Sequence, residues 1–117
     1  MDYDLNPTIT VEVAELYEVR FQINNKKFIY IGLDTKCNPK YYGSSLIIYH
    51  YKRIYGEKIF TKKVIERLEN IAYKQLCELE QQYIKETKKN AKKNKEHSVN
   101  YTGENKANVN AWQWMDI

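Results

Sequence analysis

Residues 17–33 read YEVRFQINNKKFIYIGL, and this stretch decides the fold. Its first half alternates without a break. Tyr17, Val19, Phe21 and Ile23 point one way, and Glu18, Arg20 and Gln22 the other. A period of two places apolar side chains on one face of a strand and polar ones on the other. Asn24, Asn25, Lys26 and Lys27 follow as a polar turn, since asparagine tolerates the left-handed backbone that tight turns need. Phe28 to Leu33 is then a near-continuous apolar strand. Two strands joined by a short polar link predict a β-hairpin.

Working outward from the hairpin, Pro7 breaks a loose start over 1–8, and Ile9, Val11 and Val13 alternate with Thr8, Thr10 and Glu12 as a separate short strand. On the other side, Asp34 to Lys40 reads as a loop with Asn38-Pro39 as its turn signal. A helix is expected from about Leu46 to Tyr55, capped by Ser44 or Ser45 and ended by Gly56. Phe60 to Leu68 is ambiguous, with Val64 and Ile65 favouring a third strand. A second helix is expected from about Ile71 to Lys89, where Ala72, Leu76, Leu79 and Tyr83 form an amphipathic stripe. Residues 98–117 read mostly as loop, with Trp112 and Trp114 in a short closing element. The sum is an α+β fold: a small three-stranded antiparallel sheet flanked by helices, in one domain over 1–117.

Composition narrows the function. A chain of 117 residues carries one core and little else. The formal net charge of +4 permits a polyanionic partner without requiring one. Its basic residues cluster, with Lys85, Lys88, Lys89, Lys92, Lys93 and Lys95 in one run. That run suits a nucleic-acid backbone, whose counterions it would release, and equally a solvated helix end. Tyr is in excess, 11 against 3 Phe and 2 Trp, and a phenol suits half-buried strands, grooves and base stacking. Cys37 and Cys77, with no other His/Cys cluster, exclude a four-ligand zinc site. No apolar run approaches the ~18–20 residues of a membrane span. A cytoplasmic protein without a membrane partner is expected.

The order of short motifs resembles the GIY-YIG nuclease family. Tyr30-Ile31-Gly32 matches the second half of the family signature, and Glu15-Leu16-Tyr17 stands in the place of the first half, where only Tyr17 matches. The loop from Asp34 to Ser45, with Asn38-Pro39 and Tyr42-Gly43-Ser44, is similar to that of phage-type homing members. Tyr55-Gly56 with Phe60, Leu79-Glu80 with Tyr83-Ile84, and Asn100-Tyr101-Thr102-Gly103 continue the likeness across roughly 17–103.

The resemblance implies a metal-dependent endonuclease that hydrolyses phosphodiester bonds, with double-stranded DNA as the expected partner. Glu80 would hold a single Mg²⁺ or Mn²⁺, a hard cation that takes oxygen ligands and keeps several waters. Tyr17 and Tyr30 would activate or orient the attacking water, and which of them is the base stays open. Gly32 would let the backbone approach the site closely. The family also uses a basic residue on the first helix to hold the scissile phosphate. The candidates are His50, Lys52 and Arg53, with Arg53 favoured because a guanidinium forks onto phosphate oxygens. Asn100 would brace the site, and Lys52, Lys85, Lys88, Lys89 and Lys92 would contact the nucleic-acid backbone. Because the first motif is altered and the family's arginine spacing is not kept, a second reading is a weakened module of the same fold that binds nucleic acid or protein without cutting.

Overall fold

A computed structural model describes residues 9–43 and 45–100. The predicted roles of Ser44 and of Tyr101 to Gly103, and the closing element with Trp112 and Trp114, lie outside the described residues.

The described residues form a mixed α+β fold with one sheet and two helices. Strands β1 (Thr10–Ile23) and β2 (Lys26–Asp34) make the expected hairpin, followed by helix α1 (Leu46–Tyr55), a 3-10 turn at Glu57–Ile59, strand β3 (Thr61–Ala72), helix α2 (Tyr73–Asn94) and strand β4 (Glu96–Ser98). The sheet has four strands in the order β3-β1-β2-β4. The predicted three antiparallel strands are present as β3, β1 and β2, and the prediction misses β4, which joins β2 in parallel through only three residue pairs. So short a strand, Glu96-His97-Ser98, has no alternation to show before it is paired.

Three boundaries also move. The separate strand over 9–13 is the start of β1, which runs 14 residues without interruption. It stays paired because β3 absorbs the irregularity: the register shifts between Leu16 and Tyr17, leaving Ile65 as the extra residue of a bulge. The hairpin turn narrows to Asn24-Asn25, with Asn24 in the left-handed region at φ 56. Helix α2 begins two residues later than expected and runs on through the lysine run to Asn94. Lys85, Lys88, Lys89, Lys92 and Lys93 are therefore helical, and Lys95 is the left-handed residue that ends α2. Helix α1 has the expected bounds, with Ser45 accepting a hydrogen bond from the Ile47 N–H and Gly56 at its end with φ 81.

The pleat sorts β1 into two faces. Tyr17, Val19, Phe21 and Ile23 pack with Phe28, with Ile47, Ile48 and Tyr51 of α1, and with Phe60. Phe21 and Phe28 lie directly opposite across the hairpin and stack with centroids 4.9 Å apart. Such a cross-strand aromatic pair contributes about 0.5–1.5 kcal/mol beyond its area. On the other face Leu16 and Ile31 meet Ile84 of α2, with Leu33, Ile65 and Tyr83 at the margin. Since β2 supplies Phe28 to one core and Ile31 to the other, both its faces are covered, which accounts for its near-continuous apolar reading.

Asn100 takes the next rung after β4. The Val99 N–H donates to the Ile29 carbonyl, and the Asn100 side chain then accepts from the Ile31 N–H at 2.8 Å and donates to the Ile31 carbonyl at 2.7 Å. A side-chain amide here completes the pairing of β2 between Tyr30 and Gly32. Asn100→Ala leaves both Ile31 backbone groups unpaired in a buried place, and a loss of about 1–3 kcal/mol is expected in urea unfolding.

Candidate active site

The hairpin register brings the two signature tyrosines together. Tyr17 lies opposite Gly32, and Tyr30 opposite Val19, so both phenols and Gly32 share the α1 face of the sheet. Their ring centroids are 6.4 Å apart. Tyr17 is completely buried, yet its hydroxyl has no hydrogen-bond partner, alone in this among the buried side-chain polar atoms of the described residues. A buried orphan of this kind costs free energy unless something outside the chain satisfies it.

Two glycines make room for the phenols. A Cβ at Gly32 would lie 2.5 Å from the Tyr17 Oη and 2.9 Å from the Tyr30 Cε2. A Cβ at Gly43, whose φ is +109, would lie 2.5 Å from the same Tyr30 carbon and 3.1 Å from the Tyr17 Oη. Gly32 is thus required by close approach alone, and Gly43 by both close approach and backbone conformation. Tyr17 is fully buried. Gly32→Ala is therefore expected to cost about 1–3 kcal/mol of stability, the scale of overpacking a filled core, and to shift the Tyr17 and Tyr30 resonances in an NMR spectrum.

Glu80 of α2 lies near enough for its charge to act on both phenols. Leu76 and Ile84 are both buried, and Glu80 sits midway between them at four-residue spacing. The buried residues of α2 are Leu76, Ile84 and Ala91, with Leu79, Glu80 and Tyr83 half-buried; of the expected stripe of Ala72, Leu76, Leu79 and Tyr83, Ala72 closes β3 instead. Burial raises the Glu80 carboxyl above its usual range. Among the described residues it has no ion-pair partner. Its charge reaches both phenols. Tyr30 is pushed up to about 12, first by burial and then by Glu80 and Tyr41. Tyr17 is raised further, by burial first, then by Tyr30, Tyr41, Asp34 and Glu80. Both therefore keep their protons at neutral pH.

The basic candidates of α1 stay apart from this group in their contacts. Arg53 is exposed and lies over the Tyr49 ring, with its guanidinium carbon 5.9 Å from the ring centroid. His50 stands edge-on to Tyr51 at 5.3 Å. Lys52 pairs with Glu57 at 3.4 Å and lies 5.9 Å from the Tyr42 ring centroid. Of the α2 lysines, Lys85, Lys89 and Lys92 are exposed and Lys88 is half-buried.

The basic residue that does reach the tyrosines is Lys62 of β3. Its ammonium lies 4.3 Å from the Tyr17 ring centroid and donates to the Asp34 carboxylate at 3.1 Å. Neither Lys62 nor Asp34 is singled out by sequence reasoning. Lys62 is one lysine in a lysine-rich chain, and only the β1–β3 register brings it under Tyr17. Gly43 had a signal, as the glycine of the Tyr42-Gly43 pair ahead of the first helix.

The donor set bears on which metal could bind. Among the described residues no group of three or more His, Cys, Asp or Glu side chains stands ready for a metal. A zinc cage is thereby disfavoured, since it needs three or four such ligands. Glu80 alone fits a hydrated Mg²⁺, which binds through one or two carboxylates and fills its shell with water and substrate phosphate. No helix among the described residues is long and apolar enough to cross a membrane. No family model matches the chain, and neither the curated proteins nor the solved structures give a significant match.

Proposed function

We propose that the chain is a GIY-YIG-type endonuclease that hydrolyses nucleic-acid phosphodiester bonds, DNA first among them, with one divalent cation at Glu80. The observation that carries this reading is the Tyr17 hydroxyl, buried beside Tyr30 with no hydrogen-bond partner among the described residues and within reach of the Glu80 charge. A pair of neutral phenols can donate to phosphate oxygens or hold a water in line. The cation would supply charge to lower the pKa of the water and to offset charge on the phosphoryl oxygens. Asn100 pairs both backbone groups of Ile31, between Tyr30 and Gly32, and the two glycines leave room for the phenols. The exposed lysines of α2 would carry the polyanion.

A second reading is favoured by α1. With Arg53 over Tyr49 and His50 against Tyr51, the basic helix residues expected to hold the phosphate contact other groups. That suits a module that binds nucleic acid or protein without cutting. Supercoiled plasmid with Mg²⁺, beside an EDTA control and Glu80→Ala, separates the two. Nicking that both controls abolish supports the nuclease. Salt-sensitive DNA binding with no nicking supports the binding module.

A further inference from the structure

Among the described residues the Tyr17 hydroxyl has no hydrogen-bond partner to orient it, so its direction follows that of the ring. The ring is held on several sides. Lys62 lies opposite Val19 in the β1–β3 register, and its ammonium comes 4.3 Å from the Tyr17 ring centroid. Tyr41 meets the ring in an edge-on contact at 6.2 Å. Gly32 and Gly43 close on the hydroxyl end.

Lys62 is itself clamped. Its side chain is 7% exposed and that of Asp34 is 3%. The ammonium donates to Asp34 Oδ2 at 3.1 Å and to the Asn38 carbonyl at 2.9 Å. Asp34 in turn accepts from the Lys36 N–H at 3.0 Å and the Asn38 N–H at 2.7 Å. One ammonium thus ties β3 to the end of β2 and to the loop that carries Tyr41 and Gly43. A surface pair would hold nothing so firmly, because water and salt screen it. A pair this buried has no such competitor.

We infer that Lys62, gripped by Asp34 and the Asn38 carbonyl, is a positioning residue that fixes the Tyr17 ring and the loop across it, and so sets where the free hydroxyl points. Its effect on turnover rests on the nuclease reading, whereas its effect on the ring does not. In the reaction Lys62 touches Tyr17 and not the substrate, and a misplacement of about 1 Å in such a group can cost a hundredfold in rate.

The test compares Lys62→Met and Lys62→Arg with the wild type, using tyrosine carrying ¹³C in its ring and NMR of the backbone amides. In folded Lys62→Met the Tyr17 ring signals are expected to shift and to show faster flipping, with faster hydrogen exchange at the Lys36 and Asn38 amides. Plasmid nicking should lose tenfold or more in kcat at unchanged KM, and Lys62→Arg should restore both ring and rate in large part. Ring and amide signals that match the wild type overturn the inference. So does a loosened ring with unchanged kcat in an active enzyme. If the wild type does not nick at all, the nuclease reading falls and the ring and amide signals alone decide. Should Lys62→Met fail to fold, Asp34→Asn, which keeps the ammonium and weakens its grip, is read by the same signals with the same outcomes.

Discussion

Glu80→Ala is expected to remove nicking by about 10²–10³-fold, the scale on which a single group facing developing charge is felt. Stability should move the other way. The Glu80 carboxyl is raised by burial, so its ionised form is disfavoured in the fold relative to the unfolded chain. Such a group supports folding at a pH below its ordinary value and loses that support as pH rises through the raised value. At neutral pH in EDTA, the ionised Glu80 is a burden. Glu80→Gln should therefore melt at a higher temperature than the wild type, and the gain should vanish in acid, where the wild-type carboxyl is protonated. A charge kept in an unfavourable place is what a functional role explains and a solvated helix carboxylate does not. A Glu80→Gln protein that melts lower at neutral pH and still nicks would remove Glu80 from the site.

The second large effect is expected at the Lys62–Asp34 pair. Removing one member of a buried ion pair strands the other, at a cost of about 3–5 kcal/mol. Lys62→Met leaves the Asp34 carboxylate with only the Lys36 and Asn38 amides. The double variant Lys62→Met with Asp34→Asn should recover much of that loss in urea unfolding, since no charge is then left buried. The sign with pH follows from Asp34. Burial pushes its carboxyl up, but the Lys62 ammonium and the two backbone amides outweigh this, and the net result is below its usual value. A depressed carboxyl gives stability that is full above the ordinary carboxylate range and is lost as pH falls through the lowered value. Wild-type melting temperature should fall across that acidic window, and Asp34→Asn should lack this part of the fall. A Lys62→Met protein as stable as the wild type would show that the pair holds nothing.

Much of the scaffold was legible in the sequence because its signals are local. The alternation at Tyr17 to Ile23 and the apolar run from Phe28 to Leu33 specify strands, and a polar link between them leaves an antiparallel hairpin as the short connection. The two-residue turn at Asn24-Asn25, narrower than the expected four-residue link, sets the register that places Tyr17 beside Gly32 and Tyr30 on the same face. Ser45 and Gly56 bound α1 through capping chemistry that acts within a few residues. What the sequence could not decide depends on contacts across long separations. β4 exists because Glu96 to Ser98 lands beside β2, and three residues carry no pattern of their own. How far Glu80 is covered depends on how α2 lies against the sheet, since helical spacing sets it midway between Leu76 and Ile84 without saying which face is packed. Lys62 reads as one more lysine until the β1–β3 register, shifted by the bulge at Ile65, lays it under Tyr17. Local pattern and capping chemistry were enough to mark the hairpin strands and the two helices, whereas β4 and the register that sets Tyr17 opposite Gly32 were not readable along the chain. Which charges surround Tyr17 and Tyr30 came from the fold, because a side chain's electrostatic neighbours are set by packing between elements and not by spacing along the chain.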